Sequence, residues 1–338
     1  MEKITNQVIA NALRQNEDEL LAKANVVGVG IGEKIRGGFS QNRLCLKIYV
    51  EKKLIAKKLT KVDLIPQEIA RIETDVEEVG KIVAQVVRHF DSAQCGELVE
   101  PPRGSPQGNA GRYRPAPGGV SLGHYQITAG TLGCLVKDKK SGKVFILSNN
   151  HVLANSNQAK KGDPILQPGP YDGGKKPKDI IGYLENWIEI GFGKEANLVD
   201  SALARLKNTG DVRPEIILIG SPQGVAKAKL GMSIQKSGRT TGYTTGKVKD
   251  ISASVKVNYD NQVALFRNQI LTTNMSQGGD SGSLVLDMKQ RAVGLLFAGS
   301  EQVTILNPIS AVLNLLNVEL YWGLGVPFAK GKMRPRQK

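Results

Sequence analysis

The sequence is poor in cysteine, histidine and aromatic residues, and it has no long hydrophobic run. Its 338 residues include 3 cysteines, 3 histidines and 5% aromatic residues. Three widely spaced cysteines, Cys45, Cys95 and Cys134, fit neither a disulfide framework nor a zinc site. No apolar run approaches the roughly 18 residues of a membrane span, and the first residues lack the basic and apolar stretches of a secretory signal. These absences predict a cytoplasmic globular protein with no membrane association and no metal or other cofactor.

Acidic residues are outnumbered by basic ones. The chain has 46 lysines and arginines against 31 aspartates and glutamates, which gives a net charge of +15. Such an excess makes nucleic acid a partner to consider. The basic residues are dispersed, with few aromatic residues between them, so solvated loop charges are the favoured interpretation and nucleic acid is the alternative. Whether the chain forms a homo-oligomer stays open.

A glycine-rich loop at residues 278–283, Gly-Gly-Asp-Ser-Gly-Ser, is typical of a nucleophile loop. Glycines on both sides let the backbone turn tightly and bring two main-chain N–H groups near the Ser281 hydroxyl, where they can receive an oxyanion. A serine is inert at neutral pH without a base and a third group that orients the base. The loop therefore predicts a histidine and a carboxylate elsewhere in the chain.

His151 and Asp200 are the candidates for these two roles. His151 follows the strand-like apolar run at residues 144–147, so its imidazole is predicted to lie at a strand end. Asp200 interrupts alternating apolar residues at 197–206, as expected where a carboxylate is partly buried to hold an imidazole tautomer. Each feature alone is common in turns and caps. Their coincidence with the nucleophile loop favours catalysis.

Residues from about 119 to 320 resemble a trypsin-fold, chymotrypsin-clan serine peptidase of the bacterial type without disulfides. The resemblance rests on Ser-Asn-Asn-His-Val-Leu at 148–153, Val-Asp-Ser-Ala-Leu at 199–203 and the glycine-rich loop at 278–283. The order His, Asp, Ser is that of this clan and differs from the orders in subtilisins and α/β-hydrolases. The resemblance implies a mainly β fold, a double β-barrel with a C-terminal helix and an active site between the barrels.

The resemblance also assigns roles. His151 would be the general base, Asp200 the group that orients it and Ser281 the nucleophile, with the N–H groups of Gly279 and Ser281 as the oxyanion hole. Relatives activated by cleavage pair the residue before the nucleophile, here Asp280, with a new amino terminus. No such terminal sequence follows a basic residue here, so we expect Asp280 to be satisfied otherwise and processing to be unnecessary.

A substrate pocket follows from the same resemblance. In the family the residue six before the nucleophile lies at the base of the pocket, and here it is Met275, followed by Ser276. Phe297, Ala298 and Gly299 are expected to form a wall. Because Met275 offers no carboxylate to a basic side chain, the resemblance implies preference for small or apolar residues and not for Arg or Lys.

The rest of the chain is predicted to form a small α+β accessory domain at residues 1–90, a Pro/Gly-rich, mobile linker at 91–118, the peptidase domain at 119–322 and a basic tail at 323–338. A helix is expected over 5–23 and a half-buried strand over 44–51. The alternating glycines at 26–32 predict a strand with close backbone approach, a phosphate loop being the alternative.

The sequence therefore predicts a serine endopeptidase that acts on protein or peptide substrates through an acyl-enzyme. The alternative is a catalytically silent trypsin-fold module that binds partners through its cleft and basic surface.

Overall fold

The computed structural model describes residues 6–84, 108–193 and 195–323. His89, Cys95, the first part of the predicted linker and most of the basic tail lie outside the described residues. The protein is mostly β, with 46% strand and 12% helical residues, and two curled sheets resemble a double β-barrel. Within the described ranges, no helix is both long enough and apolar enough to cross a membrane.

The N-terminal segment begins with a helix that packs on a small sheet. Its elements are α1 (Asn6–Ala22), β1 (Val26–Arg36), β2 (Phe39–Val50), β3 (Glu68–Ile69), β4 (Ile72–Glu78) and β5 (Val83–Ala84). The helix predicted over 5–23 is confirmed. Its apolar stripe, which includes Leu13 and Leu20, packs with Leu46 and Ile48 of β2 in one buried cluster.

The first curled sheet follows. A short strand, β6 (Ala116–Gly118), precedes it, and its own strands are β7 (Ser121–His124), β8 (Gly130–Thr131), β9 (Cys134–Asp138), β10 (Val144–Ser148), β11 (Pro164–Leu166), β12 (Ile180–Trp187) and β13 (Ala202–Leu206). The helix α2 (Asn150–Leu153) leaves the end of β10. The strand order is β9-β10-β13-β12-β11-β7-β8. β10, which ends just before His151, therefore lies next to β13, which begins just after Asp200.

The second curled sheet contains a closed six-stranded barrel. A connecting strand, β14 (Val212–Ile216), pairs with β6 in parallel, and the barrel strands are β15 (Ser233–Gly238), β16 (Gly242–Tyr259), β17 (Gln262–Thr273), β18 (Leu284–Asp287), β19 (Ala292–Gly299) and β20 (Val303–Pro308). The order β15-β18-β19-β20-β17-β16 closes through a β15–β16 pairing. The helix α3 (Ile309–Leu315) and the strand β21 (Val318–Leu320), which returns to β9, complete the chain.

The sheet of the second barrel continues into the N-terminal segment. β1 pairs with β16 in antiparallel register, with Gly28 opposite Val255 and Val29 opposite Ser254. The division into domains at 1–90 and 119–322 stays a prediction, but strand pairing runs across it.

The glycines of β1 allow this close approach. A Cβ on Gly30 would lie 1.8 Å from Oδ2 of Asp250, and one on Gly28 would lie 2.8 Å from the Ser254 carbonyl oxygen. No side chain fits at either distance, which explains why the strand alternates apolar residues with glycine. The prediction of a strand with close backbone approach is confirmed, and the phosphate-loop alternative is wrong.

Three local predictions differ from the structure. The strand predicted to be half-buried is buried on both faces, because α1 covers Leu46 and Ile48 while Tyr49 packs in the cluster of the second barrel. Part of the predicted mobile linker, residues 108–118, belongs to the fold: the amide nitrogen Nδ2 of Asn109 donates to Gly119 O, Ser237 Oγ and Gly238 O at 3.0, 3.0 and 3.1 Å.

The third difference concerns the C-terminal helix. Ile309, Val312, Leu313 and Leu316 are buried as predicted, but Pro308 stands at the start of α3 and the side chain of Asn307 does not cap it. Asn307 instead bonds to the backbone of Asp200.

Cys134 is 2% exposed and its thiol is free, as expected for a small buried apolar residue.

A buried carboxyl group at the β1–β16 contact predicts a pH-dependent stability. Burial raises the pKa of Asp250 to about 7, and Tyr49 donates to its Oδ2 at 2.8 Å. Unfolded aspartate titrates near pH 4, so the folded state binds more protons between about pH 4 and 7, and stability falls as pH rises through this window, by about 4 kcal/mol in total.

Urea unfolding of the wild-type and Asp250→Asn proteins at pH 5 and pH 8 measures this effect, since asparagine does not titrate. We expect the free energy of unfolding of the variant relative to the wild type to increase from pH 5 to pH 8. An equal difference at both pH values would contradict the assignment.

Candidate active site

His151 and Asp200 form a buried pair between neighbouring strands. His151 lies in α2, directly after β10, and Asp200 lies just before β13, so the β10–β13 pairing brings the two together. Nδ1 of His151 is 2.5 Å from Oδ2 of Asp200, and the His151 backbone N–H donates to Oδ1 at 3.3 Å. His151 is 2% exposed and Asp200 is fully buried.

The Asp200 carboxylate has a further donor from the second barrel. Tyr259, at the end of β16, donates its hydroxyl to Oδ2 at 2.7 Å. Burial, together with the Asp200 charge, raises the pKa of Tyr259 well above its ordinary value. The phenol therefore stays protonated and acts as a donor, which a buried carboxylate requires.

The backbone of Asp200 is fixed as well. Its N–H donates to Oδ1 of Asn307 at 2.9 Å, and its carbonyl oxygen accepts from Nδ2 of Asn149 at 2.7 Å. Asn307 in turn donates to Oε1 of Gln269 at 2.7 Å. Asp200 is thus held by side chains from both barrels.

This arrangement defines the free nitrogen of the imidazole. In the neutral ring, donation from Nδ1 to the carboxylate leaves Nε2 without a proton, so Nε2 is an acceptor. Among the described residues, Nε2 of His151 is buried and has no hydrogen-bond partner. A buried acceptor without a donor is uncommon in folded proteins and often marks a functional group.

Ser281 lies in a loop that packs against the first barrel through β8. The N–H of Thr131 donates to the Ser281 carbonyl oxygen at 2.8 Å. A Cβ on Gly130 would meet Val152, the neighbour of His151, at 2.5 Å and the Ser281 carbonyl oxygen at 3.1 Å. The Ser281 loop and Val152 of α2 therefore approach each other at the same side of one glycine.

The Ser281 hydroxyl does not bond to His151 in this structure. It donates to the Phe297 carbonyl oxygen at 3.1 Å, and Ser281 is fully buried. The structure thus joins two of the three predicted catalytic side chains directly and places the third in a loop that shares neighbours with them.

Asp280 is satisfied within the chain. Its Oδ1 accepts the N–H groups of Thr240 and Thr241 at 2.9 and 3.1 Å, and its Oδ2 accepts the Thr241 hydroxyl at 2.6 Å, the Gln277 N–H at 3.0 Å and Nζ of Lys236 at 3.2 Å. Lys236 and Asp280 are both fully buried. Burial lowers the pKa of Lys236, although Asp280 opposes this shift. The five contacts explain how the loop is held without a new amino terminus.

The backbone at Gly279 has a conformation that glycine adopts most readily. Its φ is 96°, in the left-handed region where other residues are strained. The Gly278 carbonyl oxygen accepts the Thr240 hydroxyl at 2.6 Å. Since N–H and C=O of a trans peptide point in opposite directions, this bond directs the Gly279 N–H away from Thr240.

The predicted pocket residues fall into two groups. Met275 is 4% exposed and packs in the barrel core with Val248 and Val285, and Ser276 shares a 2.7 Å hydrogen bond with Thr304. The wall residues Phe297 and Ala298 belong to a separate cluster, and Gly299 ends the same strand. The two groups meet at Thr304, which bonds to Ser276 and lies opposite Gly299 in the β19–β20 pairing.

A second histidine also has a carboxylate partner. Nε2 of His124, in β7, lies 3.1 Å from Oδ2 of Asp163. Burial lowers the pKa of His124, with Asp163 acting in the opposite direction. The Asp163 side chain is 23% exposed, whereas Asp200 is fully buried between the barrels. Of the two histidines, His151 is the one whose chain neighbour Val152 meets Ser281 at Gly130.

Three contributors to the site were missed by sequence reasoning. They are Tyr259, Asn307 and Lys236. Tyr259 and Lys236 stand in ordinary strand sequences, and Asn307 resembles a helix cap, so no local signal identifies them. In the described ranges, no group of three or more His, Cys, Asp or Glu side chains could hold a metal ion.

Comparison with known proteins identifies one family model that matches the chain. A family model described as Trypsin matches residues 129–315, just over half of the 338 residues. No curated protein matches the sequence.

Solved structures similar to the chain include several proteases. Protease A of Thermobifida fusca is 19% identical, with 62% of this chain and 100% of that chain covered and a TM-score of 0.45. A glutamic acid specific serine protease is 21% identical, with 61% and 100% covered and a TM-score of 0.45. The Cellulomonas bogoriensis chymotrypsin is 17% identical, with 61% and 98% covered and a TM-score of 0.42.

Removing the Tyr259 hydroxyl tests the support of Asp200. A hydrogen bond to a charged group contributes roughly 1.5–3 kcal/mol, so we expect Tyr259→Phe to slow covalent labelling of Ser281 by a fluorophosphonate about ten-fold or more. The loss should fall on the limiting labelling rate and not on the probe concentration at half-maximal rate, since Tyr259 contacts Asp200 and not the serine. Tyr183→Phe, on β12, is the matched control, and an equal rate in both variants would argue against this role.

Proposed function

The chain belongs to the trypsin family, and from this premise we propose that it is a serine endopeptidase that uses Ser281, His151 and Asp200. The observation that carries the proposal is the buried His151–Asp200 pair, which leaves Nε2 of the imidazole as an unpartnered acceptor beside the nucleophile loop. A structural histidine would have both nitrogens satisfied.

The first chemical step is acylation. The Ser281 hydroxyl turns from the Phe297 carbonyl oxygen to Nε2 of His151, which removes its proton as Oγ attacks the substrate carbonyl carbon. Asp200 stabilises the imidazolium that forms. Nε2 then returns the proton to the leaving amine as the peptide bond breaks, and the acyl group remains on Oγ. Water releases it by the same steps in reverse order.

The oxyanion forms next to the glycine-rich loop. We assign its stabilisation to the N–H groups of Gly279 and Ser281, because the bond from Thr240 to the Gly278 carbonyl oxygen and the bonds from Ser283 to the Asp280 carbonyl oxygen fix the two peptide planes that carry these N–H groups. Removing one such donor from a preorganised site costs about 10²–10³ in turnover. The buried Lys236–Asp280 pair supports this geometry before any substrate binds.

The substrate is an extended polypeptide. An open strand edge beside a nucleophile can pair with the substrate backbone, and pockets then select side chains. With Met275 in an apolar cluster, no carboxylate stands at the position six before the nucleophile. This supports a site for small or apolar residues.

Replacement of the nucleophile is the direct test. Loss of the serine in such a triad lowers turnover by about 10⁶, so Ser281→Ala should abolish hydrolysis of labelled casein and fluorophosphonate labelling, with an unchanged circular dichroism spectrum. Ser233→Ala, at an exposed position of β15, is the matched control and should keep both activities. Undiminished hydrolysis by a clean Ser281→Ala preparation would refute the assignment, and a folded wild-type protein that does not label would favour a silent binding module.

Specificity is a separate prediction. Cleavage of a peptide library by the wild-type protein should give products that end in Ala, Val, Leu or similar residues. The residue six before Ser281 is Met275, which has no carboxylate to bind a basic side chain. Mass spectrometry of the products measures this. A profile dominated by Arg or Lys would contradict it.

A further inference from the structure

The short strand β5 occupies the edge of β19 next to the proposed nucleophile. Ala84 lies opposite Ala298 and Val83 opposite Gly299, in antiparallel register. On its other side β5 pairs in parallel with β16, with Val83 opposite Asn258. The end of the N-terminal segment is therefore inserted between two strands of the second barrel.

Hydrogen bonds and apolar contacts hold the strand there. The Asn258 backbone N–H and its Nδ2 both donate to the Ile82 carbonyl oxygen, at 3.0 and 2.9 Å. The Ser300 hydroxyl donates to the Val79 carbonyl oxygen. Ile82 is fully buried and Ala84 is 4% exposed, and both belong to the cluster that contains Phe297 and Tyr259.

The occupied edge is the one that leads to Ser281. Phe297, whose carbonyl oxygen accepts the Ser281 hydroxyl, directly precedes Ala298 and Gly299 in β19. On the other side of β19, Ala298 and Gly299 pair with Ile305 and Thr304 of β20. Both sides of the strand are thus filled at these two residues, and a second polypeptide cannot pair with the backbone while β5 is in place.

We propose that β5 is a tethered substrate mimic: residues 82–84 occupy the position of an extended substrate on β19, and the chain is self-blocked until this strand leaves. The inference rests on the proposed peptidase function and adds its regulation. A tethered segment acts at an effective concentration in the millimolar range, so a free polypeptide at micromolar concentration competes poorly with it.

The pairing of β5 with β19 also indicates which side chains a substrate would present at these positions. Ala84 is buried in the cluster with Tyr259 and Phe297, where a larger side chain would have to displace its neighbours, while Val83 is half-buried. The site therefore accepts an extended segment with a small residue at the Ala84 position and a β-branched residue at the Val83 position.

The first experiment weakens the strand in the full-length chain. Asn258→Ala removes the side-chain hydrogen bond to the Ile82 carbonyl oxygen. Ala84→Arg changes β5 itself and places a charged side chain in the apolar cluster. We expect hydrolysis of labelled casein, as kcat/KM, to rise about five-fold for Asn258→Ala, the typical net effect of one hydrogen bond, and ten-fold or more for Ala84→Arg. Asn261→Ala, at an exposed position of the same hairpin, is the matched control and should equal the wild type.

Labelling by a fluorophosphonate separates this inference from the proposed function. If Ser281 labels in all variants but neither Asn258→Ala nor Ala84→Arg hydrolyses casein faster than the wild type, the self-blocking inference is overturned and the peptidase assignment stands. If Ser281 labels in none of the folded proteins, the peptidase assignment fails, and the binding experiment alone decides whether β5 occupies the edge.

That second experiment needs no catalysis. In a Ser281→Ala background, a fluorescein-labelled peptide Val-Gly-Lys-Ile-Val-Ala, the sequence of residues 79–84, is titrated with each protein and followed by fluorescence anisotropy. We expect it to bind the Ala84→Arg chain at least ten-fold more tightly than the chain with the native strand, since only the former leaves the edge open. Equal binding to both, or to neither, would overturn the inference.

Discussion

The fully buried carboxylate of Asp200 is the constraint around which the two barrels are arranged. A buried charge is strongly unfavourable unless donors surround it, and here these are His151, from the first barrel, and Tyr259, from the second. Asn307 of β20 fixes the Asp200 backbone. Because each contact comes from a different element, the barrels must dock in this orientation for the carboxylate to be satisfied. The hydrogen bonds that would set the proposed catalytic geometry also join the two barrels.

The long β16–β17 hairpin connects this site to the N-terminal segment. Its end supplies Tyr259 to Asp200 and Asn258 to Ile82, and its middle accepts β1 against the buried Asp250. A second buried charge, Asp280, is neutralised by Lys236 from β15. Removing either partner would leave an uncompensated buried charge, which costs far more than the intact pair contributes. The loop at residues 278–283 is therefore held at Asp280 by buried contacts, whereas the Ser281 hydroxyl makes a hydrogen bond to the Phe297 carbonyl oxygen.

Much of the fold and part of the site could be predicted from the sequence. The helix α1, the glycine strand β1 and the apolar face of α3 follow from local periodicity and from the steric needs of glycine, which are properties of short segments. The His151–Asp200 contact was predicted through motif order. Tyr259, Lys236 and Asn307 could not be predicted, since each acts through a partner 40 or more residues away. The same limit explains why Asn307 resembled a helix cap and why residues 108–118 resembled a linker: their partners are distant in the chain.

One of the shortest strands in the large sheet is also the one that we propose controls access to Ser281. β1 and β2 pair over nine residue positions and are covered by α1, whereas β5 contributes only two residues. Local opening selects segments with few contacts and leaves well-packed elements in place. β5 can therefore leave β19 while α1, β1 and β2 stay attached to β16. Because these elements keep the strand tethered close to β19, it would rebind quickly. The hydroxyl of Ser281 rests meanwhile on the carbonyl of Phe297, directly beside the occupied edge, and not on His151. If the two proposals hold, both observations belong to one closed state, in which the substrate position is filled and Ser281 is not yet paired with His151.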